Sequence, residues 1–77
     1  MNEIKLDGVP VGESALVRRL ESPPGIRRRL LDMGLTAGAP LTCLFESPSG
    51  DPRAYLVRGA VIALRAEVAQ TIFVEAV

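Results

Sequence analysis

The sequence predicts a mainly β domain with one α-helix near residues 25–33. Short apolar runs with strand-like patterning recur at Ala15 to Leu20, Leu41 to Ser47, Ala54 to Val57, Ala60 to Leu64 and Thr71 to Ala76, which makes about five strands. One segment alone has helical spacing, with Ile26, Leu30 and Met33 at i, i+4 and i+7. Turn-forming residues cluster between the runs, most densely at Glu21–Gly25 and Pro48–Pro52. Short strands at such close spacing around one inserted helix imply a small, strongly bent barrel. Closure would remove the exposed edges that so small a sheet otherwise offers.

Ile4, Leu6 and Val9 open the chain as an apolar arm, broken by Gly8, Pro10 and Gly12, that lies on the domain. The first strand, Ala15 to Leu20, alternates imperfectly. Strict alternation would put Ala15, Val17 and Arg19 on one face and Leu16, Arg18 and Leu20 on the other. Glu21-Ser22-Pro23-Pro24-Gly25 breaks that strand. Pro24 suits the first helical position, where its missing N–H has no helical partner. Gly34 follows the last periodic residue, where a helix stop wants positive φ, and Leu35 is placed to fold back on Leu30. In the second strand Leu41, Cys43 and Phe45 share one face, and Thr42, Leu44 and Glu46 the other. Arg58-Gly59 is a tight connection to Ala60–Leu64, whose unbroken apolar character reads as a central strand. Arg65–Gln70 is short enough for one helical turn. Thr71–Ala76 closes the chain with Ile72 and Val74 on one face and Phe73 on the other.

The 77 residues are read as a single domain, 1–77. A domain of that size buries only about 60–65% of its unfolded surface, so its stability is modest. Composition is that of a folded chain, with 48% hydrophobic and 23% charged residues. Nine basic and nine acidic side chains cancel, which removes the usual electrostatic footprint of a nucleic-acid binder. The aromatics Phe45, Tyr55 and Phe73 are too few for base stacking or for an aromatic groove that takes proline-rich peptides. No apolar run approaches the ~20 residues that cross a bilayer. The N-terminus lacks the apolar core of a signal peptide, so a cytoplasmic location is expected.

Catalysis has little to work with. Histidine is absent, and with it the usual base near neutral pH. Cys43 is the one cysteine. It lies mid-strand without a neighbouring base and reads as a small buried hydrophobe. An internal disulfide and a tetrahedral Cys/His zinc site built from one chain are both impossible. The carboxylates are scattered, and none has the spacing of a metal loop. Asp51, before Pro52, reads as a turn former. No catalytic residue, cofactor or metal site is expected.

The helix surface carries the remaining signal. Arg27, Arg28 and Arg29 point in three directions about 100° apart, so they form no single basic stripe. Arg28 faces water, while Arg27 and Arg29 flank the core face with their stems. Leu31 projects away from Ile26, Leu30 and Met33 and lies among arginines. An apolar side chain beside arginine is a common composition for a contact centre. Arg27, Arg28 and Leu31 are therefore the candidate partner-binding residues.

Four pieces of the chain, in this order, resemble one family. They are Arg-Arg-Leu-Leu-Asp-Met-Gly-Leu-Thr-Ala-Gly (Arg28–Gly38), Ser-Gly-Asp-Pro (Ser49–Pro52), Val-Ile-Ala-Leu-Arg (Val61–Arg65) and Ile-Phe-Val-Glu (Ile72–Glu75). Together they resemble FeoA, the small cytosolic component of bacterial ferrous iron uptake. A related module ends the diphtheria-toxin-repressor type of metal-dependent regulator. The resemblance implies an SH3-like β-barrel with its helix inserted after the first strand. It implies a non-enzymatic accessory or regulatory role, exercised on the membrane permease FeoB and its cytosolic GTP-binding domain. A second copy of the chain is a further candidate partner. The alternative is a repressor-like module in metal-dependent regulation, but the histidine ligands of such modules have no counterpart here.

Overall fold

Six strands form one antiparallel sheet in the order β1-β6-β2-β3-β4-β5. The computed structural model describes residues 2–77. The strands are β1 (Glu3–Lys5), β2 (Ser14–Leu20), β3 (Pro40–Glu46), β4 (Arg53–Val57), β5 (Ala60–Leu64) and β6 (Ile72–Ala76). Helix α1 (Pro24–Asp32) separates β2 from β3, and the one-turn helix α2 (Ala66–Ala69) separates β5 from β6. The arm expected at the N-terminus contains β1, which pairs with β6 through Glu3–Glu75, Ile4–Val74 and Lys5–Phe73. Three residues are too few to show a period, so this strand had no sequence signal. A 3₁₀ turn at Leu6–Gly8 follows it and buries Leu6.

The sheet bends around a single core and does not close; β1 and β5 are its edges. Ala15, Val17, Leu41, Cys43, Tyr55, Val57, Ile72 and Val74 face that core from the strands. Leu30 and Leu35 enter it from the helix and its stop. Arg53 ties the first turn to the sheet, donating from Nη1 to the carbonyls of Asp7 and Val9 at 2.9 Å each.

Two bulges change which side chains face inward. Register shifts between Val17 and Arg19. Arg18 and Arg19 are both exposed as a result, and Leu20 packs against the core. That is the physical reason for the broken alternation in this strand. Arg19 instead lays its guanidinium 4.2 Å from the Phe73 ring centroid and pairs with Glu3 and Glu21. The second shift lies between Cys43 and Phe45. It turns Phe45 outward, 57% exposed, where the alternation placed it beside Cys43 in the core.

The run Ala60–Leu64 is not a central strand. It is the edge strand β5, and only Leu64 is buried. Apolar composition alone cannot tell a strand covered on both faces from one left open.

Helix α1 starts with Pro24 at its first position and carries no side-chain cap. Ser22 bonds Thr71 instead, hydroxyl to hydroxyl at 2.7 Å. The stop is a full Schellman motif. Gly34, at φ 103°, donates its N–H to the Leu31 carbonyl, and Leu35 N–H reaches the Leu30 carbonyl, each at 3.0 Å. Ile26 and Leu30 pack on the core as the spacing requires. Met33 lies on the same side but is 37% exposed, because it caps the helix at the open end of a groove. Asp51 does more than form a turn. Its Oδ1 accepts the Ala66 N–H at 2.9 Å and so caps α2 from across the domain.

Candidate functional site

The two sides of α1 carry two separate depressions. The first, about 350 Å³, is lined by Ser22, Pro24, Arg27, Arg28 and Leu31. All three residues singled out on the helix are brought together here. Leu31 is half-buried yet stands outside the core cluster. Ser22 and Pro24, at the entry to the helix, line the same depression. The helical step of about 100° places Arg27, Arg28 and Leu31 on adjoining directions, one turn apart.

The second depression, about 290 Å³, runs between α1 and β5. Ile26, Leu30 and Met33 form one side, and Leu64 and Val68 the other. Arg29 and Arg65, both exposed, complete it. Arg58, in the β4–β5 turn, reaches the end of α1, donating from Nε to the Gly34 carbonyl at 3.3 Å and from Nη2 to Thr36 Oγ1 at 3.1 Å.

Charge is distributed unevenly around these sites. Arg18, Arg19 and Arg53 pair with glutamates. Among the described residues Arg27, Arg28, Arg29, Arg58 and Arg65 make no ion pair. All five border α1 or β5. Sequence reasoning found Arg27 and Arg28 but passed over Arg58 and Arg65, whose position beside the helix depends on how β5 packs.

Cys43 is fully buried, and burial pushes its thiol above its ordinary value of 9.0, opposed by the nearby Arg53 guanidinium. It is chemically quiet in this setting. Tyr55, also fully buried, has its phenol raised above 10.0 for the same reason, again with Arg53 opposing. Among the described residues no three His, Cys, Asp or Glu side chains come together as a metal-binding group. No helix among them is long and apolar enough to cross a membrane.

A small antiparallel sheet bent around one core, with its helix inserted after β2, defines an SH3-like domain that offers surface depressions rather than a deep cleft. The FeoA domain model matches residues 4–76, and the chain belongs to the FeoA family. The solution structure of FeoA from Chlorobium tepidum is similar at TM-score 0.92 and 35% identity, over 96% of this chain and 70% of that one. A FeoA-like protein from Clostridium acetobutylicum matches at TM-score 0.90 and 30% identity, over 100% and 90% of the two chains. The zinc complex of FeoA from Stenotrophomonas maltophilia gives TM-score 0.84 and 26% identity, over 94% and 89%. That protein is described as a prokaryotic SH3 domain protein and discussed as a ferrous iron transport activating factor. A manganese-dependent transcriptional repressor shares the fold alone, at TM-score 0.86 and 20% identity, this chain spanning 42% of its length. No curated protein sequence matches the chain.

Proposed function

We propose that this protein is a non-enzymatic, cytoplasmic accessory subunit of bacterial ferrous iron uptake that acts by binding the cytosolic part of the FeoB permease. FeoA membership supports the setting, and the description of the S. maltophilia protein as an activating factor supports a regulatory role. The observation that carries the contact is the depression beside α1, where half-buried Leu31 lies outside the core next to the unpaired Arg27 and Arg28. An apolar anchor set among arginines matches the composition of binding centres. Leu31→Ala and Arg28→Ala should each weaken binding to the cytosolic part of FeoB by about 1–2 kcal/mol. Interferometry measures this, with thermal melts on the same variants. Full binding by the Leu31/Arg28 double variant would remove this surface from consideration. Arg27 is a poorer probe because a long arginine stem can also cover apolar surface, which would mix folding with binding.

A further inference from the structure

The β5 side of the molecule offers a different kind of surface. We infer that the free edge of β5 accepts an extended segment of another protein as an added strand, apolar at alternate positions and acidic at its ends. This does not rest on the α1–FeoB contact, which uses the opposite side of the helix.

Four observations carry it. First, the edge is open. Val57 and Ala60 flank the two-residue turn Arg58–Gly59, whose φ values are 49° and 79°. Such a hairpin bonds that pair, then every second pair along the ladder. Ala60, Ile62 and Leu64 therefore bond β4, while Val61 and Ala63 direct their N–H and C=O groups outward. No other backbone group of the described residues bonds them.

Second, this edge lacks the devices that normally protect one. It is Ala-Val-Ile-Ala-Leu, with no charge and no proline. The opposite edge, β1, is only three residues long and carries Glu3 and Lys5. The same fold thus protects one edge and leaves the other bare.

Third, apolar surface flanks the edge on both faces of the sheet. The register places Leu56 opposite Val61 and Ala54 opposite both Ala63 and Phe45. Phe45, Leu56 and Val61 are 57%, 37% and 59% exposed. They form one outward patch, completed by the bulge that turns Phe45 out. On the other face lies the groove between α1 and β5. An added strand would send alternate side chains to that patch and to the groove.

Fourth, the charges select the occupant. Arg58 precedes β5, Arg65 follows it, and Arg29 lines the groove, all without a carboxylate partner. No carboxylate occurs in the sequence between Asp51 and Glu67. A second copy of the chain is a poor fit. Antiparallel pairing of two β5 edges in full register brings each Arg58 within one residue of the other Arg65. Parallel pairing sets like against like. Either direction places arginine against arginine, whereas acidic ends on an incoming strand would meet all three.

The test uses the full chain and a short synthetic peptide that alternates valine and threonine between paired glutamates, with a lysine-ended peptide as control. Nuclear magnetic resonance should show the acidic peptide slowing amide exchange at Val61 and Ala63. Binding should weaken as salt rises. Val61→Pro removes an outward N–H that the fold does not use, and should lower affinity at least ten-fold with the hairpin intact. Arg65→Glu should reverse the preference toward the lysine-ended peptide. Equal affinity for both peptides, or no protection at Val61 and Ala63 in the wild-type chain, would overturn the inference. So would self-association by sedimentation that Val61→Pro abolishes, because the occupant would then be a second copy.

Discussion

Replacing Gly34 by alanine tests the helix stop on which α1 depends. The perturbation has two parts. Gly34 sits at φ 103°, where an L-residue costs about 1–2 kcal/mol. A Cβ there would also lie 3.1 Å from Arg58 Cδ and 3.2 Å from Arg58 Cγ. The arginine is flexible and exposed, so it can move, but only by giving up its bonds to the Gly34 carbonyl and Thr36 Oγ1. Losing them adds about 1 kcal/mol. The expected total is about 2–3 kcal/mol. For a domain of this size that lowers Tm by roughly 10–20 °C. Gly34→Val should cost more, since β-branching adds crowding. Urea unfolding measures the loss, and a double-mutant cycle with Arg58→Ala separates its parts. In the Arg58→Ala background the steric part disappears and only the backbone part, about 1–2 kcal/mol, remains. A Gly34→Ala variant as stable as the wild type, with the same m-value, would refute the reasoning.

Other outcomes follow from the same geometry. Arg53→Met removes two charged hydrogen bonds to the carbonyls of Asp7 and Val9 and should destabilise by about 2–4 kcal/mol in urea, with amide exchange rising first in Leu6–Val9. Stability should hold up to about pH 9 and fall above it. Folding raises the Cys43 and Tyr55 values above 9.0 and 10.0, so the unfolded chain loses those protons first and gains as pH rises; a melting temperature unchanged from pH 8 to 10.5 would contradict this. The Cys43 thiol should react with an aromatic disulfide reagent only as fast as the chain unfolds, and rapid labelling under native conditions would place it nearer the surface. Anaerobic calorimetry on the isolated chain should show no stoichiometric micromolar ferrous site, because soft and imidazole ligands are nearly absent.

The helix was legible in detail because its signals are local. Ile26, Leu30, Gly34 and Leu35 stand at fixed offsets that a helix and its stop require, whatever surrounds them. The strands were legible as runs, but their facing was not. A bulge adds one residue to one strand and turns the following side chains over. That is how Phe45 left the core and how Arg18 and Arg19 came to be exposed together. Position in the sheet was less legible still. Val61 and Leu56 are apolar and exposed because nothing in the described fold covers β5, and no period in the sequence marks an uncovered face. The site follows the same division. The grouping of Leu31, Arg27 and Arg28 depends on the helix alone and could be placed in advance. The second group, Arg29 with Arg58 and Arg65, joins residues from three elements and required the packing of α1 against β5.

The charge balance acquires a different meaning once the ion pairs are placed. A net charge of zero argued against a nucleic-acid partner, and the arrangement gives the cancellation a structural cause. Glutamates hold Arg18, Arg19 and Arg53 on strands β2 and β4, where the arginines brace the sheet and the first turn. The remaining arginines are concentrated around α1 and the β5 hairpin. Exposed charges interact over roughly 10 Å at moderate salt, less than half the 30 Å length of the molecule. An incoming partner therefore meets the local field, not the total. The same 100° step that prevents Arg27, Arg28 and Arg29 from forming one basic stripe gives α1 a cation on each of its sides, and each side borders exposed or half-buried apolar surface. Two modest, separate protein contacts suit that distribution better than one continuous polyanion.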